Sequence, residues 1–169
     1  MKNFLLLLIV FQFNISCNSQ IKKNNIMNDS GQNLVTREPV VAGQFYPEKA
    51  DELKSMLQKL FSEATPCNTD KEVLAIISPH AGYVFSGEVA ASSFNQLNYN
   101  KKYKNIFIIG SSHRTSFNGA SIYNKGNFKT PLGIVPVNIE LANQLIQQYD
   151  FFNDRVDAQL YEHSLEVQL

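Results

Sequence analysis

"KEVLAIISPHAGYVFSGEVAASSFNQL" (Lys71–Leu97), followed closely by "KNIFIIGSSHRT" (Lys104–Thr115), decides the fold. The apolar runs Val73–Ile77 and Ile106–Ile109 read as strands buried on both faces. Between them "SGEVAASSFNQL" reads as a helix, with Ser86 as its N-cap and Val89, Ala90, Phe94 and Leu97 along one side. Strand, helix, strand is a crossover unit, which makes the two strands parallel and the connection right-handed. The expected class is α/β, a mostly parallel central sheet with flanking helices.

Upstream, "REPVVAGQFYPEKADELKSMLQKLF" predicts a short extended segment and then a helix. Pro47 falls near its first turn, and Leu53, Met56, Leu57, Leu60 and Phe61 recur at helical spacing. Downstream, "GASIYNK" predicts a strand, "FKTPLGIVPVN" an extended or hairpin stretch, and "IELANQLIQQY" an amphipathic helix. The chain stops at "EHSLEVQL" in mid-pattern, where Leu165, Val167 and Leu169 are apolar residues with no evident partners. The domain is therefore expected to be incomplete at its carboxyl end.

With 44% hydrophobic residues in 169, one core is the default. Fifteen basic side chains cancel fifteen acidic ones, and no dense Lys/Arg stripe is present, so nucleic acid is excluded as a partner class. The first residues, "MKNFLLLLIVFQFNISC", follow the charged, apolar and cleavage-region order of a secretory signal. Ser16–Cys17 resembles a bacterial lipobox, although Asn14 stands where leucine is usual. The expected organisation is a signal peptide over 1–16, lipidation at Cys17, a flexible tether over 17–37 and the domain over 38–169. That places the protein in the bacterial cell envelope, lipid-anchored or secreted, touching membrane only through the anchor. Cys67, in the polar loop "TPCNTD", reads as an incidental thiol.

Two of the three histidines, His80 and His113, follow the two apolar runs directly. Ligands of parallel α/β sheets bind beyond the carboxyl ends of the strands. If the strands are neighbours, their backbones lie about 4.8 Å apart. Both imidazoles can then converge on one metal ion, at about 2.0–2.1 Å each by zinc geometry. Gly82 and Gly110 permit tight turns and close approach. Tyr83 and Ser112 are candidate hydrogen-bond donors to the pocket, and Arg114 a candidate partner for a carboxylate. The alternative is that all of these are turn residues satisfying strand-end carbonyls. His163, between Glu162 and Glu166, is either a solvated histidine or an acid–base group whose tautomer a carboxylate fixes.

The ordered motifs "VVAGQFYP", "SPHAGYVFSG", "GSSH", "FKTPLG" and "EHSLEVQL" together resemble the Memo family, whose bacterial members are often labelled AmmeMemoRadiSam system protein B. The resemblance runs from about Val40 to Leu169. It implies a fold related to the class III extradiol dioxygenases, with His80 and His113 as ligands of a non-haem iron or copper and His163 lining the same pocket. It also implies a further cysteine ligand from beyond the last residue of this chain, which Cys67 does not match. Arg114 replaces a second histidine found after "SSH" in some relatives.

Three functions follow as expectations. One is an iron- or copper-dependent oxidoreductase on a small, aromatic or anionic substrate, with His163 moving protons. The second is a non-catalytic module binding a peptide or protein. The third is an envelope metal-binding protein.

Overall fold

The computed structural model describes residues 34–67 and 71–169. The stretch expected to be a signal peptide, Cys17 and most of the expected tether lie outside the described residues. The last tether residues do not behave as a tether. The Val35 N–H donates to the Lys125 carbonyl at 2.7 Å, the Arg37 N–H donates to Asn127 at 2.8 Å, and Arg37 is buried. The folded part thus begins upstream of the boundary expected at Glu38.

Helix α1 runs Ala50–Glu63, with Asp51 and Glu52 in its first turn, where acidic side chains favour the positive end of the helix dipole. Pro47 falls just before it, and Leu53 is its buried residue. Helix α2, Tyr83–Phe94, packs on α1. Gly87 makes this possible, since a Cβ there would lie 2.8 Å from Leu60 Cδ1. The buried positions of this region are Gly87, Ala91 and Leu97, whereas Val89 is exposed.

Ser86 is not the N-cap. The helix begins one turn earlier, because the Phe45 carbonyl accepts the Tyr83 N–H at 2.7 Å and so satisfies an otherwise orphaned donor. Gly82 takes the capping position, and the Ser86 hydroxyl donates to the Ala81 carbonyl at 3.2 Å instead.

The remaining elements are β1 (Ala120–Ser121), β2 (Phe128–Thr130), β3 (Gly133–Val135), α3 (Ile139–Gln148), β4 (Phe152–Asn153), α4 (Asp157–Leu160) and a 3-10 turn, Glu166–Gln168. The "FKTPLGIVPVN" stretch is a hairpin, β2 antiparallel to β3. β1 pairs in parallel with β4, Ala120 opposite Phe152. Helix α3 is capped by the Asn138 side chain, which accepts from the Leu141 N–H at 3.0 Å.

The fold is α/β, but the sheet is distributed differently from the expectation. Among the described residues the strands form two separate pairs, one parallel and one antiparallel. Val73–Ile77 and Ile106–Ile109 are not strands, because their backbones make no ladder bonds to a neighbour. Nor are they buried on both faces: Ile77 is 96% exposed and Ile109 is 93% exposed. A continuous apolar run marks a segment suited to double burial, but only a hydrogen-bonded neighbour makes it a strand.

Two apolar clusters carry the packing. Tyr46, Leu53 and Val167 form one, with Val41, Phe45, Leu57 and Tyr83 around it; Tyr123, Phe128 and Val135 form the other, with Val137 and Leu169 against it. Val167 and Leu169 thus find partners within this chain, on segments more than a hundred and more than thirty residues upstream respectively. Val167 brings the 162–169 segment against the segment around Tyr46, and bonds from Gln168 to the Pro79 carbonyl and from Ser164 to the Ser111 carbonyl hold it against the loops that follow the two apolar runs.

Candidate metal centre

Three loops meet at one point. His80 lies in the loop before α2, His113 in the loop after Ile106–Ile109, and His163 in the turn between α4 and the 3-10 turn. Their ring centroids are 5.2 Å apart for His80–His113, 4.5 Å for His113–His163 and 5.8 Å for His80–His163. One ring nitrogen of each lies within 4.8 Å of the others'. Two nitrogens bound tetrahedrally to one ion at about 2.1 Å stand about 3.4 Å apart, so small ring rotations close the set. Three imidazoles on one side of an ion fit a divalent first-row metal, and they leave coordination positions open on the other side.

Close approach of two loops makes the cluster possible. Gly110 faces the 164–165 segment, and a Cβ there would lie 2.5 Å from Ser164 Oγ and 2.9 Å from Leu165 Cδ2. The Ser164 hydroxyl donates to the Ser111 carbonyl at 2.9 Å, tying the two loops together. Gly110 therefore serves loop–loop packing within the chain.

The Glu162 carboxylate sits between the two loops. It accepts the His113 N–H at 2.6 Å and stands 2.9 Å from His113 Nδ1. It also accepts the N–H groups of His163 and Ser164, each at 2.9 Å. Burial pushes the Glu162 carboxyl up, but the donors from the His113 and Ser164 backbones and side chains outweigh it and hold it at about 2. His163 packs on Phe45, with ring centroids 4.8 Å apart. Its imidazole is held below its ordinary value by burial first, then by His113, His80 and Arg114, against an opposing pull from Glu162.

Behind the turn lies a buried ion pair. Glu166 accepts from Arg37 Nη1 at 2.7 Å, from the Tyr46 hydroxyl at 2.7 Å, and from the N–H groups of Val40 and Val41 at 3.0 and 2.9 Å. Arg37 also donates Nε to the Gln159 carbonyl at 2.8 Å and Nη2 to the Glu162 carbonyl at 2.5 Å. One guanidinium thus holds both ends of the segment that carries Glu162 and His163. Burial pushes Glu166 up, yet its four partners bring it below its ordinary value. Tyr46 is raised by burial and by its bond to Glu166.

Both carboxyls are depressed in the folded state, so the stability they contribute is present above about pH 4.5, the ordinary value. That stability is lost as pH falls from 4.5 towards 2, the level of folded Glu162. Urea midpoints measured between pH 7 and pH 3 should fall most steeply below pH 4.5. A flat profile across that range would contradict the two buried carboxylate networks.

The other candidate residues divide. The Tyr83 hydroxyl donates to the Val167 carbonyl at 3.1 Å, and burial pushes it up to about 12, so it serves the core beside the site. The Ser112 hydroxyl donates to the Thr115 carbonyl at 2.6 Å and shapes its own loop. Arg114 is exposed next to the cluster and forms no ion pair among the described residues. Cys67 is exposed and bonds the Gln96 carbonyl, and it does not belong to the histidine cluster. Beside His80 and His163 opens a groove of about 870 Å³, whose apolar wall includes Phe45, Ile77, Phe85 and Val89.

Arg37 and Tyr46 do not stand out in the sequence, and Glu166 stands out there only as a neighbour of His163. The one available signal was the i, i+4 spacing of Glu162 and Glu166 around a histidine in an otherwise apolar segment.

A family model described as Memo-like protein matches residues 37–169. The chain is 36% identical over 141 residues to a MEMO1 family protein of Desulfurococcus amylolyticus, covering 79% of this chain and 50% of the relative. It is 37% identical over 142 residues to one of Thermotoga neapolitana, covering 79% and 51%. With one of Pyrococcus furiosus it shares 37% over 134 residues, covering 79% and 45%. The chain thus spans about half the length of the curated relatives it matches.

Proposed function

The chain belongs to the Memo-like protein family, and from that premise we propose that it is an iron- or copper-dependent oxidoreductase acting on a small substrate at the three-histidine cluster. The observation that carries this reading is the set of three imidazole nitrogens within 4.8 Å of one another, beside a groove with an apolar wall. Imidazoles suit iron and copper as well as zinc. Bound there, the metal would supply a redox couple and open positions for a ligand.

In this reading His80 and His113 hold the ion. Glu162 engages His113 Nδ1, so Nε2 is the nitrogen of that ring left to bind it. His163 moves the proton. It is held below its ordinary value, so near neutral pH it is an uncharged base, and its ring lines the groove. Phe45, Ile77, Phe85 and Val89 receive the apolar body of the substrate. Arg114, exposed beside the cluster, favours an anionic head group.

The test is oxygen uptake by iron- or copper-loaded protein over a panel of small aromatic diols and carboxylates. The expected result is uptake that is lost in His113→Ala. Reversible metal binding without uptake across the panel would replace this reading by metal sequestration. A second reading, a module that binds a polypeptide, is favoured by the exposed apolar side chains of Ile77 and Ile109. Such a module would keep partner affinity in folded His80→Ala and His113→Ala variants, whereas the oxidoreductase would lose its activity in both.

A further inference from the structure

We propose that Glu162 is the positioning residue of the cluster, a single carboxylate that selects the ring tautomer of His113 strongly and that of His163 weakly. The inference deepens the metal reading and rests on it only for its consequence on metal affinity.

The geometry is asymmetric. Oε2 accepts the His113 N–H at 2.6 Å. Oε1 stands 2.9 Å from His113 Nδ1 and also accepts the N–H groups of His163 and Ser164, each at 2.9 Å. His163 Nδ1 is 3.5 Å from that same oxygen. An ionised carboxylate only accepts, so the ring nitrogen at 2.9 Å must be the protonated one. His113 is therefore the Nδ1–H tautomer, and its Nε2 lone pair is free. At 3.5 Å, with three nearer donors already on Oε1, His163 receives a much weaker bias.

A purely structural carboxylate would need only the three backbone donors, which would tie the 111–113 loop to the 162–164 turn. The bond to the His113 ring exceeds that need. It is the arrangement in which an outer carboxylate orients a metal-binding imidazole and raises its basicity.

Two measurements separate this role from loop packing. The first is long-range proton–nitrogen NMR on the metal-free protein, which reads each imidazole tautomer directly. The wild type should show His113 protonated at Nδ1, and Glu162→Gln should shift His113 towards a mixture while changing His163 less. The second is competitive cobalt titration, in which Glu162→Gln should weaken binding about 10–100-fold, as loss of an outer partner does. A wild-type His113 protonated at Nε2 would overturn the proposal whatever the variant's folding. So would a folded Glu162→Gln variant with unchanged tautomer and cobalt affinity. If the wild type bound no cobalt but the tautomer followed Glu162, the metal reading would fail and the positioning role would stand.

Discussion

Replacing Arg37 by alanine should destabilise the fold by about 3–5 kcal/mol, the typical cost of removing one partner from a buried ion pair. The side chains of Arg37 and Glu166 are 2% and 0% exposed, so neither charge can turn to water when the other is lost. The damage extends beyond the pair. Without the guanidinium, the Glu162 carbonyl also loses its donor, and a buried unsatisfied group costs about 1–3 kcal/mol, whereas the Gln159 carbonyl keeps the N–H of Glu162. Glu166→Leu should not be neutral even in the Arg37→Met background, because the Val40 and Val41 N–H groups and the Tyr46 hydroxyl would lose their acceptor. Arg37→Lys should recover part of the loss, since an ammonium keeps the charge but not the three-way fork. Urea denaturation of the three variants is the check. An Arg37→Ala variant within about 1 kcal/mol of wild type would show that the pair is not a main support of the 159–166 segment.

The largest functional effects should come from the histidines, and they should differ in kind. His80→Ala and His113→Ala should each lose metal by more than the about 10–100-fold that an outer-partner substitution costs. His163→Ala should keep more of the metal affinity but lose about 100- to 10,000-fold in turnover, the usual contribution of a positioned acid–base group. The difference rests on surroundings. His163 packs on Phe45 and lines the groove, and Glu162 stands at 3.5 Å from its Nδ1 against 2.9 Å for that of His113. Equal losses of metal in all three variants would make His163 a third ligand and remove it from proton transfer.

The parts legible in the sequence are those decided locally. The apolar spacing of Leu53, Met56, Leu57 and Leu60 marks α1, and "FKTPLGIVPVN", legible as an extended or hairpin stretch, is the β2–β3 hairpin. His80 and His113 stand where apolar runs end, and the structure brings them together even though those runs form no ladder. The parts that were not legible depend on distant partners. Arg37 sits in a polar stretch that reads as tether, and only the fold shows that it is buried against Glu166, 129 positions away. Ser86 has the composition of a cap, but a carbonyl from Phe45 takes the first helical N–H instead. The apolar runs advertise burial, yet burial and pairing are set by what lies alongside, which local pattern does not contain.

The central claim, that these three loops build a metal site, is tested most directly by metal analysis of anaerobically purified protein. His80→Ala and His113→Ala, shown by circular dichroism to be folded, should be run beside it. About one iron or copper ion per wild-type chain, and none in either variant, is the expected result. Wild-type protein that holds no metal, or variants that hold as much as wild type, would contradict it.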